Sequence, residues 1–168
     1  MLVFAAAGLD AMLKELVRAA LQELLKKGAG QKSFEAFIAR RTEGSGPLDH
    51  KFLAATLASA DPRRHLIQAW LDDQTGGSLQ SVDAVLKLTT NFDIKFEDVF
   101  RNKAERERLR NAFDARNQIV HEMDLKFTQT RSRYQRPETA TKQLTEQVFQ
   151  TAAILLHAVE AKLESLTA

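Results

Sequence analysis

Residues suited to acid–base chemistry gather in one short stretch of this 168-residue sequence. Four histidines could transfer protons near neutral pH, because imidazole titrates in that range. Three of them stand at helix starts or among apolar residues, where solvation, capping or packing is their ordinary role: His50, His65 and His157. His121 differs because Arg116 and Asn117 precede it closely and Glu122 follows it. The sequence therefore predicts that any catalytic site lies between Arg116 and Glu122.

This stretch contains the groups that RNA cleavage requires. Arg116 carries a permanent, forked cation suited to phosphate oxygens, and His121 can give or take a proton without a metal. Asn117 can orient either group by hydrogen bonding. Together they could move protons at the 2′-hydroxyl and the leaving oxygen while the cation stabilises the phosphorane. Acidic side chains that could support this chemistry, for example by fixing the imidazole tautomer, are Asp114, Glu122 and Asp124.

The spacing of Arg116 and His121 raises a geometric problem. Five positions at about 100° each place the two residues about 140° apart on an ideal helix. They would meet at one phosphate only if the helix kinks near Val120 or a second subunit contributes. The spacing thus favours a composite site. The alternative is that both residues are structural, on a basic helix whose neighbouring Ile119 belongs to the core.

The charge of the chain is unevenly distributed. The formal net charge is +2, yet the segment from Arg101 to Arg136 holds ten basic and five acidic residues. A basic segment in an otherwise acidic chain favours an anionic partner such as RNA. The alternative is a solvated helix, because Glu105 and Glu107 alternate with arginines. In the first interpretation, the residues of the following loop that bind the RNA backbone are Arg131, Arg133, Tyr134 and Arg136.

The composition excludes several classes of protein. Without cysteine there is no disulfide framework, no Cys-ligated zinc and no thiol nucleophile. No metal-ligand spacing is visible, so we expect neither metal nor cofactor. The apolar start is far shorter than the roughly 20 residues of a membrane helix, and it lacks a basic leader. We therefore expect a cytoplasmic protein with no membrane partner.

Apolar residues recur at intervals of three and four almost throughout, which predicts an all-α bundle formed by a single domain over residues 1–168. Asp61-Pro62 is typical of a helix start, and Gly28 and the Gly76-Gly77 pair are typical of helix ends. Residues 91–96 alternate polar and apolar and are predicted as an extended connector. The predicted helices cover 9–27, 34–41, 49–58, 62–75, 78–88, 100–121 and 137 onward.

The stretch Arg116-Asn117-Gln118-Ile119-Val120-His121-Glu122 resembles the signature motif of the HEPN superfamily, and the helix order is most similar to its RiboL-PSP-type branch. The resemblance implies a helical bundle that forms a homodimer and brings two motifs into one cleft. It implies a metal-independent endoribonuclease that leaves 2′,3′-cyclic phosphate ends and serves as a toxin or an antiphage effector, with an antitoxin as a further partner. The catalytic residues would be Arg116, Asn117 and His121.

Other functions remain open at the level of sequence. Some HEPN proteins have lost catalysis and act as binding or regulatory modules, in which Arg116 and His121 would be structural. A third interpretation makes this chain the acceptor of a nucleotidyl group, with Tyr134, its only tyrosine, as the modified residue. A DNA-binding helix-turn-helix protein is disfavoured, because no segment combines that compact spacing with a polar recognition helix.

Overall fold

A computed structural model of the protein describes residues 1–42, 50–121 and 136–167. This part of the chain contains helices and no strand, so the all-α prediction is confirmed. The helices described are α1 (Leu2–Lys26), α2 (Gln31–Thr42), α3 (His50–Ala58), α4 (Pro62–Thr75), α5 (Val82–Asn91), α6 (Phe96–Val99), α7 (Lys103–His121) and α8 (Glu138–Ser165). None of them combines the length and the hydropathy needed to cross a bilayer.

The three longest helices, α1, α7 and α8, pack against one another at the centre of the bundle. Helices α1 and α8 run parallel, because Lys27 at the end of α1 donates a hydrogen bond to Thr167 at the end of α8. Helix α7 runs antiparallel to α8, because Gln118 near its end accepts a hydrogen bond from Arg136 just before α8. The end of α7 and the starts of α1 and α8 therefore share one end of the bundle, here called the motif end.

Helix α1 begins seven residues earlier than the sequence predicts. Its buried face continues from Leu9 back through Ala6 and Ala5 to Leu2, at the helical spacing of three and four. The prediction of a start at Leu9 was wrong because alanine and glycine residues before it give little contrast between a polar and an apolar face. This extension brings the start of α1 to the motif end.

Local sequence signals explain most other helix boundaries. Asp61 caps α4 by accepting a hydrogen bond from the backbone N–H of Arg64 at 2.9 Å, as predicted. Helix α1 ends in a Schellman motif, because the N–H of Ala29 bonds the carbonyl of Leu24 around Gly28 at a φ of 88°. Helix α5 starts after Ser81, whose Oγ accepts from the N–H of Ala84, and the predicted start at residue 78 was wrong.

The connector predicted as extended over residues 91–96 is instead a second Schellman motif followed by a short helix. The N–H of Ile94 bonds the carbonyl of Thr89, and Asp93 takes a left-handed φ of 52°. The turn buries Phe92 and Ile94 and exposes Asp93, so the alternating pattern comes from a helix end. Helix α6 begins at Phe96.

Buried apolar residues from every helix except α3 form one hydrophobic cluster in the described part of the chain. Leu109, Ala112 and Phe113 anchor α7 in this cluster, as predicted. Val120 was predicted to face inward as well, and this was wrong, because 41% of its surface is exposed. The turns of α7 that precede the motif therefore attach this helix to the rest of the bundle.

Candidate active site

The candidate site lies on the last two turns of α7, which remain helical through His121. Leu109, Ala112, Phe113 and Ala115 define the buried side of this helix. On an ideal helix, position 116 falls in the middle of that buried sector, whereas position 121 falls about 150° from its centre. The absence of a break in α7 means that the separation of about 140° between Arg116 and His121 persists within one chain.

Asn117 connects the two sides of α7. Its Oδ1 accepts a hydrogen bond from Nη1 of Arg116 at 2.9 Å, and its side chain is exposed. Asn117 precedes His121 by four residues, so their positions lie only about 40° apart on the helix surface. Because Oδ1 is engaged by the guanidinium, the amide group of Asn117 is left to donate. The hydrogen bond thus brings one end of Arg116 from the buried side towards the exposed side.

Arg116 is only half-buried, but its Nε atom is fully covered. Within the described residues, this atom has no hydrogen-bond partner. A covered donor without a partner costs free energy, on the order of 1–3 kcal/mol. The atom of Arg116 that bonds within the motif is Nη1, through Asn117.

A second arginine reaches the same part of α7 from the start of α8. Nη2 of Arg136 donates a hydrogen bond to Oε1 of Gln118, and both side chains are half-buried. The sequence predicted Arg136 only as part of a basic loop. Gln118 was given no role, although a carboxamide inside the motif was the one signal that could have suggested an acceptor there.

The structure does not bring every predicted site residue together. Asp114 is exposed and lies about 10 Å along the axis from position 121, and it has no hydrogen bond or ion pair within the described residues. The side chain of His121 lies outside the description, which gives only its helical backbone. The predicted residues that lie wholly outside the described ranges are Glu122, Asp124, Arg131, Arg133 and Tyr134.

The other three histidines stand apart from this motif in the chain and the fold. His50 is exposed at the first position of α3, and His65 packs with its ring centroid 6.0 Å from that of Phe52. His157 was predicted to be packed and is instead exposed. It lines an open cavity of about 700 Å³ between α8 and the α5–α6 turn. No geometry among these residues suggests a catalytic pair.

Charges on the first half of α7 are partly neutralised. Nη1 of Arg110 forms an ion pair with Glu107 at 2.8 Å, and the carboxylate of Glu105 accepts from the backbone N–H of Arg101. The guanidinium of Arg106 lies 5.8 Å from the ring centroid of Phe96. The solvated-helix interpretation therefore describes this half well, whereas Arg116, near the end of the helix, bonds to the neutral carboxamide of Asn117.

Exposed apolar side chains occur at the motif end of the bundle. Phe4, on the outward side of α1, is 82% exposed, and Met1 and Val120 are also exposed. Ala7, Gly8 and Ala11 continue the uncharged outward side of α1. Phe149 and Leu156 on α8 are exposed as well. Exposed large apolar side chains favour contact with another surface.

Comparison with known proteins provides no relative. No protein-family model, no curated protein and no solved structure matches this chain. The chemistry of α7 and of the start of α8 is therefore the basis for any functional conclusion.

Proposed function

We propose that this chain is a metal-independent endoribonuclease of the HEPN type, which acts on RNA as a cytoplasmic homodimer and serves as a toxin or defence effector. The observation that carries the proposal is the hydrogen bond from Arg116 to Asn117, on the helical turn that ends at His121. It places a guanidinium, a carboxamide and the position of an imidazole in consecutive turns of one rigid helix.

The proposed reaction needs only proton transfer and charge stabilisation. The 2′-oxygen of a ribose forms a bond to the adjacent phosphorus, and the bond from phosphorus to the 5′-oxygen of the next nucleotide breaks. A base accepts the 2′-hydroxyl proton, and an acid gives a proton to the departing 5′-oxygen. Arg116 stabilises the negative charge on the non-bridging oxygens, and Asn117 orients the guanidinium through the hydrogen bond to its Oδ1. The products are a 2′,3′-cyclic phosphate and a 5′-hydroxyl.

A homodimer would resolve the separation of Arg116 from His121. Two motifs that face each other can direct Arg116 of one subunit and His121 of the other at one phosphate. Phe4 and Val120 are exposed at the motif end, where such an interface would be required. Burial of these side chains is the physical reason for the two chains to associate there.

The charge around the motif suits an RNA ligand. Arg116 is hydrogen-bonded to the neutral carboxamide of Asn117, so this contact does not neutralise its positive charge. Arg131, Arg133 and Tyr134 are proposed to extend this surface along the RNA backbone, and Glu122 and Asp114 remain proposed supporting residues. A cationic surface of this kind would also attract an acidic antitoxin.

A second candidate function is a non-catalytic regulatory module. The covered Nε atom of Arg116 favours it, because an arginine fixed beside the core can serve packing alone. In that case, substitution of Arg116 would lower the free energy of unfolding without any catalytic activity to lose.

Incubation of the purified protein with labelled RNA in excess EDTA distinguishes the two functions. We expect cleavage by the unaltered protein and a loss of about 10²–10⁴-fold for His121→Ala, the range for removal of a general acid or base. Far-ultraviolet circular dichroism should show the same helix content for both proteins. Absence of cleavage with and without divalent ions would support the regulatory module, and cleavage only with a divalent ion would contradict the proposed mechanism.

A further inference from the structure

The cavity of about 700 Å³ between α8 and the α5–α6 turn lies away from the motif. Binding sites for small molecules have volumes of about 300–1,000 Å³, so this cavity is large enough for an organic ligand. Its wall on α8 extends from Ala153 to Ser165, which is about 18 Å along the helix axis. This wall begins about 22 Å from the start of α8, so the cavity is separate from the candidate active site.

The apolar part of the cavity is aliphatic. It is lined by the buried side chains of Ile94 and Val99 and by the half-buried Ile154 and Ala158. Among the described residues, no phenylalanine, tyrosine or tryptophan lines it. Proteins commonly hold the bases of nucleotides by stacking them on such rings, so this lining favours an aliphatic ligand over a nucleotide of the RNA substrate.

Three cationic side chains line the same cavity: Lys95, Arg101 and Lys162. Within the part of the chain that the structure describes, none of these side chains forms a hydrogen bond or an ion pair. Lys95 and Arg101 are exposed, whereas Lys162 is half-buried and follows Ala158 by one helical turn. Opposite charges attract most strongly where the least water separates them, so Lys162 is the best-placed of the three cations for an anionic group.

The two carboxylates in the lining are bonded to backbone groups of the chain. Oδ2 of Asp93 accepts a hydrogen bond from the N–H of Gly30 at 2.6 Å, and Oδ2 of Asp98 accepts from the N–H of Lys95 at 3.3 Å. Neither carboxylate forms an ion pair with Lys162. With three cations against two carboxylates, the lining has a positive formal charge, which favours an anionic ligand.

We infer that this cavity binds an aliphatic organic anion, with its chain against Ile94 and Ile154 and its anionic head group at Lys162. The head group is a carboxylate or a phosphate monoester, because both accept charge-assisted hydrogen bonds from an ammonium group. Burial of the chain supplies affinity, and Lys162 supplies the preference for an anion. The inference is independent of the proposed ribonuclease function, since none of these residues belongs to the motif.

Isothermal titration calorimetry of the whole protein with short-chain probes tests the chemistry of the ligand. The probes, each below its micelle concentration, are octanoate, octyl phosphate, 1-octanol and inorganic phosphate. We expect one saturable site per chain for an octyl anion, with an affinity at least about tenfold higher than for 1-octanol or inorganic phosphate. The tighter of the two octyl anions identifies the head group. Equal affinity for 1-octanol, or no saturable binding of either octyl anion, overturns the inference.

A matched pair of lysine variants on α8 tests the position of the head group. Lys162→Gln should weaken binding of the tighter octyl anion at least about fivefold, because it removes the charge beside the chain. Lys142→Gln removes the same charge from an exposed position about 30 Å away on the same helix and should change the affinity less than about twofold. Equal affinities of the two variants for the anion overturn the inference.

Filling the cavity tests the position of the chain. Ala153→Phe should weaken binding of the octyl anion at least about tenfold, because the ring occupies the space of the chain. Ala19→Phe is the control, since Ala19 is exposed on α1 and outside the cavity. Thermal melting checks that each variant folds, and this pair decides the matter if Lys162→Gln does not fold. Unchanged affinity in Ala153→Phe overturns the inference and leaves the proposed function intact, because RNA cleavage is not measured.

Discussion

Nη1 of Arg116 and Oδ1 of Asn117 are joined by a hydrogen bond of 2.9 Å across the boundary between the buried and exposed sides of α7. The backbone position of Arg116 lies in the buried sector of the helix. Asn117 lies on the solvent side, close to the position of His121. The bond fixes the orientation of the carboxamide, since its oxygen faces the guanidinium and its amide group is left to donate. The neutral Asn117 thus holds the guanidinium of the half-buried Arg116 next to the exposed turn that ends at His121.

This relationship predicts unequal effects of substitution along α7. Arg116→Ala should lower RNA cleavage about 10²–10³-fold, because it removes a cation that stabilises the phosphorane. Asn117→Ala should cause a smaller loss, of about tenfold, because the guanidinium remains but loses its fixed orientation. Single-turnover rates measure both, and thermal melting checks that each variant folds. Arg108→Gln is the charge-matched control. A rate for Arg116→Ala equal to that of the control would contradict this assignment.

Because Phe4 is exposed at the motif end, we predict that two chains form a dimer through this end of the bundle. Phe4→Glu should raise the dimer dissociation constant at least about tenfold, because burial of the ring is replaced by burial of a charge. Leu57→Glu is a matched control on α3, where the leucine is 79% exposed and outside the three central helices. Sedimentation velocity over a concentration series measures both constants. A monomeric parent protein, or equal effects of the two substitutions, would rule out this interface.

Two glycines provide a matched test of the fold. Gly28 and Gly30 both have positive φ, but a Cβ at Gly28 would meet open space, whereas at Gly30 it would lie 2.5 Å from the carbonyl oxygen of Asn91. Gly28→Ala should lower the free energy of unfolding by about 1–2 kcal/mol. Gly30→Ala should cost a further ~1–3 kcal/mol, because the backbone of Asn91 must move. Urea denaturation measures the difference, and equal losses would contradict the close approach of Gly30 to α5.

If the protein is a toxin, its expression should arrest growth. Induced expression in a bacterial host is expected to stop colony formation, because cleavage of cellular RNA stops protein synthesis. His121→Ala should restore growth at equal protein levels, which immunoblotting verifies. Arrest that persists in His121→Ala would separate toxicity from the proposed chemistry.

The sequence was informative where a local signal determines the structure. Asp61-Pro62 at the start of α4 and Gly28 after α1 predicted helix boundaries correctly, because a cap or a left-handed turn is specified by residues within one turn. The all-α class followed from the repeated three- and four-residue spacing. The start of α1 was missed because alanine and glycine give no contrast between faces, and only packing on α8 determines how far the helix extends.

The candidate site was predicted from the types and spacing of its residues, whereas the contacts around it could not be predicted from the sequence. Because α7 is helical through position 121, the ideal-helix separation of about 140° between Arg116 and His121 applies to their backbone positions. The contact between Gln118 and Arg136 could not be foreseen, because it joins two helices whose relative direction depends on tertiary packing. The inward prediction for Val120 failed, because 41% of its surface is exposed although its position falls on the buried side of an ideal helix.

The most direct test of the proposed function is the chemistry of the RNA ends. Products formed by the purified protein in excess EDTA are analysed by mass spectrometry, alongside a substrate with 2′-deoxyribose at the cleaved position. We expect 2′,3′-cyclic phosphate and 5′-hydroxyl ends from RNA and no cleavage at the deoxy position, because the 2′-oxygen is the nucleophile. Products with 3′-hydroxyl and 5′-phosphate ends, or cleavage at the deoxy position, would contradict the proposed reaction at Arg116, Asn117 and His121.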